Sequence, residues 1–478
     1  METLQRTANR GSVATGTYSI SNSVKLEDTN TEYLQRAASG SDGNRRTMTL
    51  SMWLKRTQPG NDHIFYSQGS HVRFRWKTSD YFSLRLANGH EFENESRLFR
   101  DPSAWYHMVV AIDTTQSTDT NRVKIYWNGV QETTFNTAQY PDQNEELTLG
   151  QFSSVTTQLG WFVESGYGFD GYITEVNYID GLQKAPTDFG EFDSNSGIWI
   201  PKQYTGSYGS EGFFLNFDNA SSMGADSSGN GNNFNLNNVA AADQATDTPT
   251  NNFCTLNVLD QRTDTPALTT EGATVNVQDP GSGTGSVRGT MGASSGKWYW
   301  EIELDAFEGS SLYYLHGISS LDVTAEDGKY PGSSEDGGYS VGIYGQNGNV
   351  YYNGSNATFE TSGPGADGDL IGVFLDLDNG TLRFAKNGTL IGNVSGTDAI
   401  ARSGASLTGK NFWTASVADG TNSTAYRTLF KMNFGGYTTI SISSAQSDPN
   451  GYGKFEYSPN DGTYDYYALC SKNLAQFG

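Results

Sequence analysis

Two cysteines in 478 residues, Cys254 and Cys470, exclude a disulfide framework and a metal–thiolate cluster. Histidine is almost as scarce. His63, His71, His90, His107 and His316 form no HExxH motif and no pair at i and i+4, and no nucleophile elbow accompanies them. His107 falls within WYHMVVAID, a stretch apolar on both sides, and is expected in the core. No apolar run approaches the roughly 20 residues of a membrane span. The opening METLQRTANRGSVATG also lacks an apolar stretch of signal-peptide length, so a soluble protein outside the common export route is expected. Basic residues are few: 30 Lys plus Arg stand against 53 Asp plus Glu, a net charge of -23. Such a surface repels phosphate backbones and anionic lipid, which argues against nucleic-acid partners and membrane insertion.

What the chain has in quantity is glycine, 56 residues, and aromatics at 13%, including 27 Tyr. Gly and Asn make turns while Tyr, Phe and Trp fill strands, and this length exceeds the usual size of one core. The composition therefore predicts an all-β protein of two tandem antiparallel β-sandwiches. LIGVFLDLDNGTLRFAKNGTLIG (370–392) shows the pattern at its clearest. Ile371, Val373, Leu375 and Leu377 alternate on one face, and Asp378-Asn379-Gly380 and Asn387-Gly388 supply turns.

Taken in order, residues 1–19 form a polar arm. Strands follow at Ser23–Leu26 and near Tyr33. In TMTLSMWLK, Met48, Leu50, Met52 and Leu54 share one side. RVKIYWNGV alternates Val123, Ile125 and Trp127 before a turn at Asn128-Gly129, and FDGYITEVNY closes a first domain over 20–239. AAADQATDTPT, 240–250, is small, polar and punctuated by Pro249, and reads as a linker. The second domain, 251–478, contains KWYWEIEL, with Trp298, Trp300, Ile302 and Leu304 inward and Lys297, Tyr299, Glu301 and Glu303 outward.

WYHMVVAIDTT, RVKIYWNGVQ and FDGYITEVNYIDG, in that order, resemble the laminin-G/concanavalin-A-like lectin jelly roll over roughly 21–238. That resemblance implies a carbohydrate- or protein-binding sandwich, often with Ca²⁺ at the sheet rim. GKWYWEIEL, the 370–392 meander and KMNFGG are similar to the SPRY domain over roughly 289–470. SPRY domains are sandwiches that bind partners through their loops. The tandem, with the phrase LFRDPSAWYHMVVAIDTTQ, resembles virion proteins of marine bacteriophages. It implies a non-enzymatic virion surface protein, a tail fibre or receptor-binding component, with a capsid decoration or head fibre protein as the alternative. Its arm would hold other virion proteins, and its loops would hold a host surface glycan or protein. A homo-oligomer is compatible with this setting, although no heptad repeat specifies one.

Three constellations could carry chemistry. Asp218, Asp226, Asn230 and Asn232 lie in a Gly/Ser-rich loop and offer oxygens of the kind calcium takes; the alternative is a solvated turn built on Asx hydrogen bonds. Tyr313, Tyr351 and Tyr352 offer rings to a sugar or protein ligand, or to the core. Glu303, Asp305 and Glu308 match E-x-D-x-x-E, which resembles the catalytic strand of laminarinase-type glucanases. A glycan depolymerase using Glu303 and Glu308 would need carboxyls about 5–5.5 Å apart. Alternation puts Glu303 and Asp305 on an outer, solvated face, so no catalytic residue is assigned. Cys254 and Cys470 bracket the second domain and are expected as reduced thiols.

Overall fold

The computed structural model describes residues 18–164, 166–261, 267–268, 272–278, 286–308, 313–322, 330–334, 337, 339–358, 365–391, 407, 412–419 and 427–478. Most of the expected N-terminal arm lies outside them. The chain forms two compact units and passes from one to the other between Asn251 and Asn252.

The first unit runs through β1 (Ser23–Leu26), β2 (Tyr33–Arg36), β3 (Thr47–Arg56), β4 (His63–Gln68), β5 (Val72–Trp76), β6 (Tyr81–Arg85) and β7 (Glu91–Leu98). It continues through β8 (Tyr106–Asp113), β9 (Val123–Trp127), β10 (Val130–Gln131), β11 (Thr137–Ala138), β12 (Thr157–Leu159) and a small hairpin, β13 (Trp161–Phe162) and β14 (Tyr167–Gly168). Then come β15 (Gly171–Asp180), the pair β16 (Gly190–Phe192) and β17 (Trp199–Pro201), β18 (Phe213–Leu215), β19 (Asn235–Asn237) and β20 (Gln244–Ala245). Sheet I has the order β10-β9-β8-β3-β15-β1-β20, with β18 also beside β15; sheet II has the order β11-β7-β6-β5-β4-β12-β2-β19. Every pairing is antiparallel, so the all-β expectation holds.

Period-2 alternation explains the core. Met48, Leu50, Met52 and Leu54 of sheet I meet Phe74, Trp76, Phe82 and Leu84 of sheet II in one buried cluster. The turn expected at Asn128-Gly129 is present, with φ of 48° and 79°, the left-handed pair that matches strand twist in a two-residue hairpin. Gly129 is needed for space as well: a Cβ there would meet the Trp199 ring at 2.3 Å. At the bulge in β15, Glu175 takes φ of 52° and turns a buried carboxyl toward Tyr18, whose hydroxyl donates to it at 2.8 Å. Burial pushes that carboxyl up to about 7.

The outer face of sheet I is not solvated. Val109 and Ile179 are covered by Phe189 and Tyr204, and Trp199 donates to His107 Nδ1 at 2.9 Å. The 240–250 stretch corrects the linker expectation, because it packs as part of the first unit. Gln244–Ala245 pairs with β1, and Asp247 is 1% exposed. Its carboxylate takes the buried Lys55 ammonium at 2.7 Å and the Trp105 indole N–H at 2.9 Å. Small polar composition resembles a linker, but one buried charge pair reverses the outcome.

In the second unit one sheet orders Leu256–Gln261, Ser286–Gly289, Trp413–Asp419, Tyr314–Ser320, Ser340–Tyr344, Asn349–Tyr352 and Ser355–Thr358. The other orders Ala267–Leu268, Thr274–Gln278, Arg427–Asn433, Lys297–Glu308, Leu370–Asp376, Thr381–Lys386 and Thr389–Leu390. Trp298, Trp300, Ile302 and Leu304 face the core as expected. Tyr299 and Glu301, expected outward and solvated, are instead fully buried beneath the C-terminal segment, where Phe455, Tyr466 and Ala468 pack on Tyr299. That segment adds Tyr467–Ala468 in parallel to the Lys297–Glu308 strand and ends in a helix, α1 (Ser471–Phe477). Cys254 and Cys470 are brought close, since Phe253 bridges Cys470 and the Cys254 N–H donates to Leu469, and both are buried as thiols.

Three histidines are structural. His107 accepts from Trp199 at Nδ1, which leaves the proton on Nε2, 2.8 Å from Ser51 Oγ; serine is therefore the acceptor and gains no base. His63 accepts the Asp170 N–H at Nδ1 and donates from Nε2 to the Gln58 carbonyl. His316 lies fully buried between Tyr314 and Phe384, with neither nitrogen hydrogen-bonded. Burial pushes each of the three imidazoles down to about 3.

Two outcomes are expected. Asp247→Ala removes the carboxylate that neutralises Lys55 and should lower stability by about 3–5 kcal/mol in urea unfolding of the full chain; a loss under 1 kcal/mol would contradict the pair's role. The second concerns His316, whose folded pKa lies below its unfolded value near 6.5. Its contribution is intact above 6.5 and is lost as pH falls toward 3, by about 1.4 kcal/mol per unit. His316→Phe should therefore gain about 2 kcal/mol on the unsubstituted chain between pH 7 and pH 5; equal gaps at both pH values would refute a neutral buried imidazole.

Candidate functional site

The outer face of sheet II carries the strongest constellation in the first unit. Val72, Phe74 and Trp76 point into the core, so Arg73 and Arg75 of β5 point away from it. The strand registers then line up one row across the sheet: Glu91, Arg85, Arg73, Ser67, Gln158, Gln35 and Asn235. Adjacent strands lie about 4.8 Å apart, so six intervals span about 29 Å. The row consists largely of guanidinium and amide groups, which suit the planar, multidentate hydrogen bonding of sugar hydroxyls and acids. Gln158 donates to Gln35 at 3.1 Å, and Ser67 Oγ donates to the Trp161 carbonyl at 2.7 Å. The β13–β14 hairpin thus lies over β4 in the middle of the row, with Trp161 stacked on Tyr33 and Phe162 under the Arg73 guanidinium at 5.4 Å.

Asp218, Asp226 and Asn230 do not make one cage. Asp226 Oδ1 accepts from the Phe214 and Ser228 amides, and Oδ2 accepts from Ser228 Oγ and the Asn232 amide, all between 2.8 and 2.9 Å. Those four donors fill its lone pairs. Asn230 donates to the Gly209 and Gly212 carbonyls, and Asp218 accepts from Asn216 while burial raises its pKa. These residues do not fit a six- to eight-oxygen calcium shell. Among the described residues no group of three or more His, Cys, Asp or Glu comes together to hold a metal.

In the second unit the tyrosines separate by strand face. Tyr313 stacks on Tyr344 at 6.4 Å, Tyr344 meets Tyr351 edge-on at 5.8 Å, and Tyr351 meets Tyr330 at 6.3 Å. Tyr313 and Tyr351 therefore belong to one half-buried aromatic strip. Tyr352 leaves it and packs against the core. The strip runs through Tyr330 and Tyr344, which spacing alone did not single out because the register of Ser340–Tyr344 on its neighbours decides it.

Two members of the acidic trio share one cation. Lys431 donates to Glu303 at 3.0 Å and to Asp305 at 2.6 Å, so both carboxylates serve one ammonium. A bulge falls between Leu304 and Ala306. The Glu308 backbone stands opposite Arg427, and its side chain lies outside the described residues. Glu301, the neighbouring carboxylate, is consumed by structure: it accepts from Tyr299 Oη, Asn433 Nδ2 and the Glu456 and Tyr457 amides at 2.8–3.0 Å. Burial raises its pKa against those four donors.

Residues 13–182 match the family model described as the concanavalin A-like lectin/glucanases superfamily, and residues 297–398 match that of the SPRY domain. No curated protein matches the chain. Among solved structures, the SPRY domain of human HERC1 is 19% identical, with 39% of this chain and 99% of that one covered at a TM-score of 0.29. A Bacteroides ovatus protein assigned to carbohydrate binding is 13% identical, with 46% of this chain covered at a TM-score of 0.32; the match spans 59% of that protein. The chain thus carries a concanavalin A-like lectin module followed by a SPRY module.

Proposed function

We propose that the protein is a non-enzymatic adhesion protein in which the lectin-like module holds a glycan and the SPRY module holds a protein surface. One observation carries the reading: a lectin-family module sets Arg73 and Arg85 on one side of the β13–β14 hairpin, and Gln35 and Asn235 on the other, in register on the outer face of sheet II. In the second module the Tyr313–Tyr344–Tyr351 strip offers contact area at small entropic cost. Glu303, one of the two carboxylates of the depolymerase alternative, shares the Lys431 ammonium with Asp305. The proposed setting is the surface of a virus particle, as a tail fibre or receptor-binding component, and the resemblance of LFRDPSAWYHMVVAIDTTQ to such proteins supports it.

The full chain should be retained by particular members of a polysaccharide panel in affinity electrophoresis while releasing no reducing ends. Release that Glu303→Gln abolishes would replace adhesion with hydrolysis. An antibody against the chain should label intact particles from the source culture; a chain found only in the particle-free fraction would refute the virion setting.

A further inference from the structure

The charge on the outer face of sheet II runs against that of the chain. Arg73 and Arg85 are directly opposed across β5 and β6, and Arg75 is two residues along the same face. Like charges directly opposed across strands destabilise a sheet. Three carboxylates lie near them, and none makes a hydrogen-bonded ion pair with an arginine of the group. Asp62 stands 3.8 Å from Arg75 without a hydrogen bond, Glu91 is opposite Arg85 in register, and Glu93 is engaged with Lys77 at 3.2 Å. Among the described residues neither Arg73 nor Arg85 has an ion pair. Burial, and after it the neighbouring Arg75 and Arg85 guanidiniums, lower the pKa of Arg73.

A second observation points the same way. Ser83, paired with Arg75 on this face and 1% exposed, has a hydroxyl with no hydrogen-bond partner. The buried Nε atoms of Arg73 and Arg75 are also without one. Buried donors are ordinarily satisfied, and each that is not costs about 1–3 kcal/mol. Phe162 meanwhile holds the Arg73 guanidinium in place from the β13–β14 hairpin. Positive charge, spare donors and a fixed aromatic wall coincide in one place.

We propose that Arg73, Arg75 and Arg85 receive an anionic substituent, a sulfate ester or a uronate carboxylate, of an acidic polysaccharide. This rests on the reading of the first module as a glycan holder and names the class of glycan. The guanidinium fork matches the planar carboxylate and the sulfate oxygens in a two-point contact that a lysine does not make. Beyond the β13–β14 hairpin, Gln35 and Asn235 continue the row toward the far edge, where neutral hydroxyls of the same polymer would be met.

The test uses the full chain, its Arg85→Gln form and the Arg73→Gln/Arg85→Gln double variant. Inorganic sulfate, at ionic strength held constant with chloride, should raise the melting temperature of the unsubstituted chain and leave that of the double variant unmoved. Dextran sulfate or polygalacturonate should be bound at least tenfold more tightly than uncharged dextran, and the double variant should lose that margin; the two acidic polymers separate the sulfate source from the carboxylate source. Without ligand, Arg85→Gln should melt no lower than the unsubstituted chain, because it removes a repulsion, whereas a structural arginine would melt lower. Acidic polymers bound equally by the double variant would overturn the inference. Arginine-independent binding of uncharged dextran alone would also overturn it while leaving the glycan reading standing. An arginine-dependent sulfate shift with no polymer bound would keep the anion receptor and remove the glycan reading.

Discussion

Each module is fastened shut by one buried charged side chain on the outer face of a central strand. In the first, Lys55 of β3 takes Asp247 from the segment that follows the last sheet II strand. In the second, Glu301 takes the amides of Glu456 and Tyr457 and the side chain of Asn433. A sandwich satisfies its two inner faces by packing them together, but a central strand has a second side. Covering that side removes its polar groups from water, and the cover persists only if those groups find partners. Lys55 and Glu301 meet that condition, so the C-terminal end of each module depends on a buried charge as well as on apolar packing.

This explains what was legible in the sequence and what was not. Alternation located the inward sets, Met48 to Leu54 and Trp298 to Leu304, because period 2 follows from the strand itself. The turns at Asn128-Gly129 and Asn387-Gly388 were equally readable, since few other dipeptides adopt two positive φ angles in succession. Alternation says which side a residue takes, not whether that side is covered. Glu301 and Glu303 look identical in KWYWEIEL, yet one is fully buried and the other shares Lys431 with Asp305. For the same reason residues 240–250 read as a linker: Asp247 is one carboxylate among many until Lys55 is placed opposite it. Arg73 and Arg85 become neighbours only through the β5–β6 register, although VRFRW and YFSLR carry the alternation that would pair them.

The acidic excess makes the location of the basic residues informative. With 53 carboxylates for 30 cations, a typical Lys or Arg can find a partner at little cost. Arg288 meets Asp260, Arg383 meets Asp461, Lys297 meets Asp376 and Asp378, and Arg56 meets Asp80. Against that background, two arginines opposed without an ion pair are a local departure from the pattern. Departures that lower stability concentrate where a molecule binds.

The same departure bears on affinity. Side chains on strands are held at fixed spacings, so the guanidiniums on β5 and β6 cannot drift apart to relieve their repulsion as loop residues could. An anion arriving between them gains its own two-point contacts and also removes a repulsion already present. That second part is free energy the unliganded fold has stored as lower stability. A rigid sheet can therefore hold an acid group more tightly than its hydrogen bonds alone would suggest, while giving an uncharged sugar no such advantage. Selection for charge on this face then follows from the strain of the empty row as much as from the shape of the filled one.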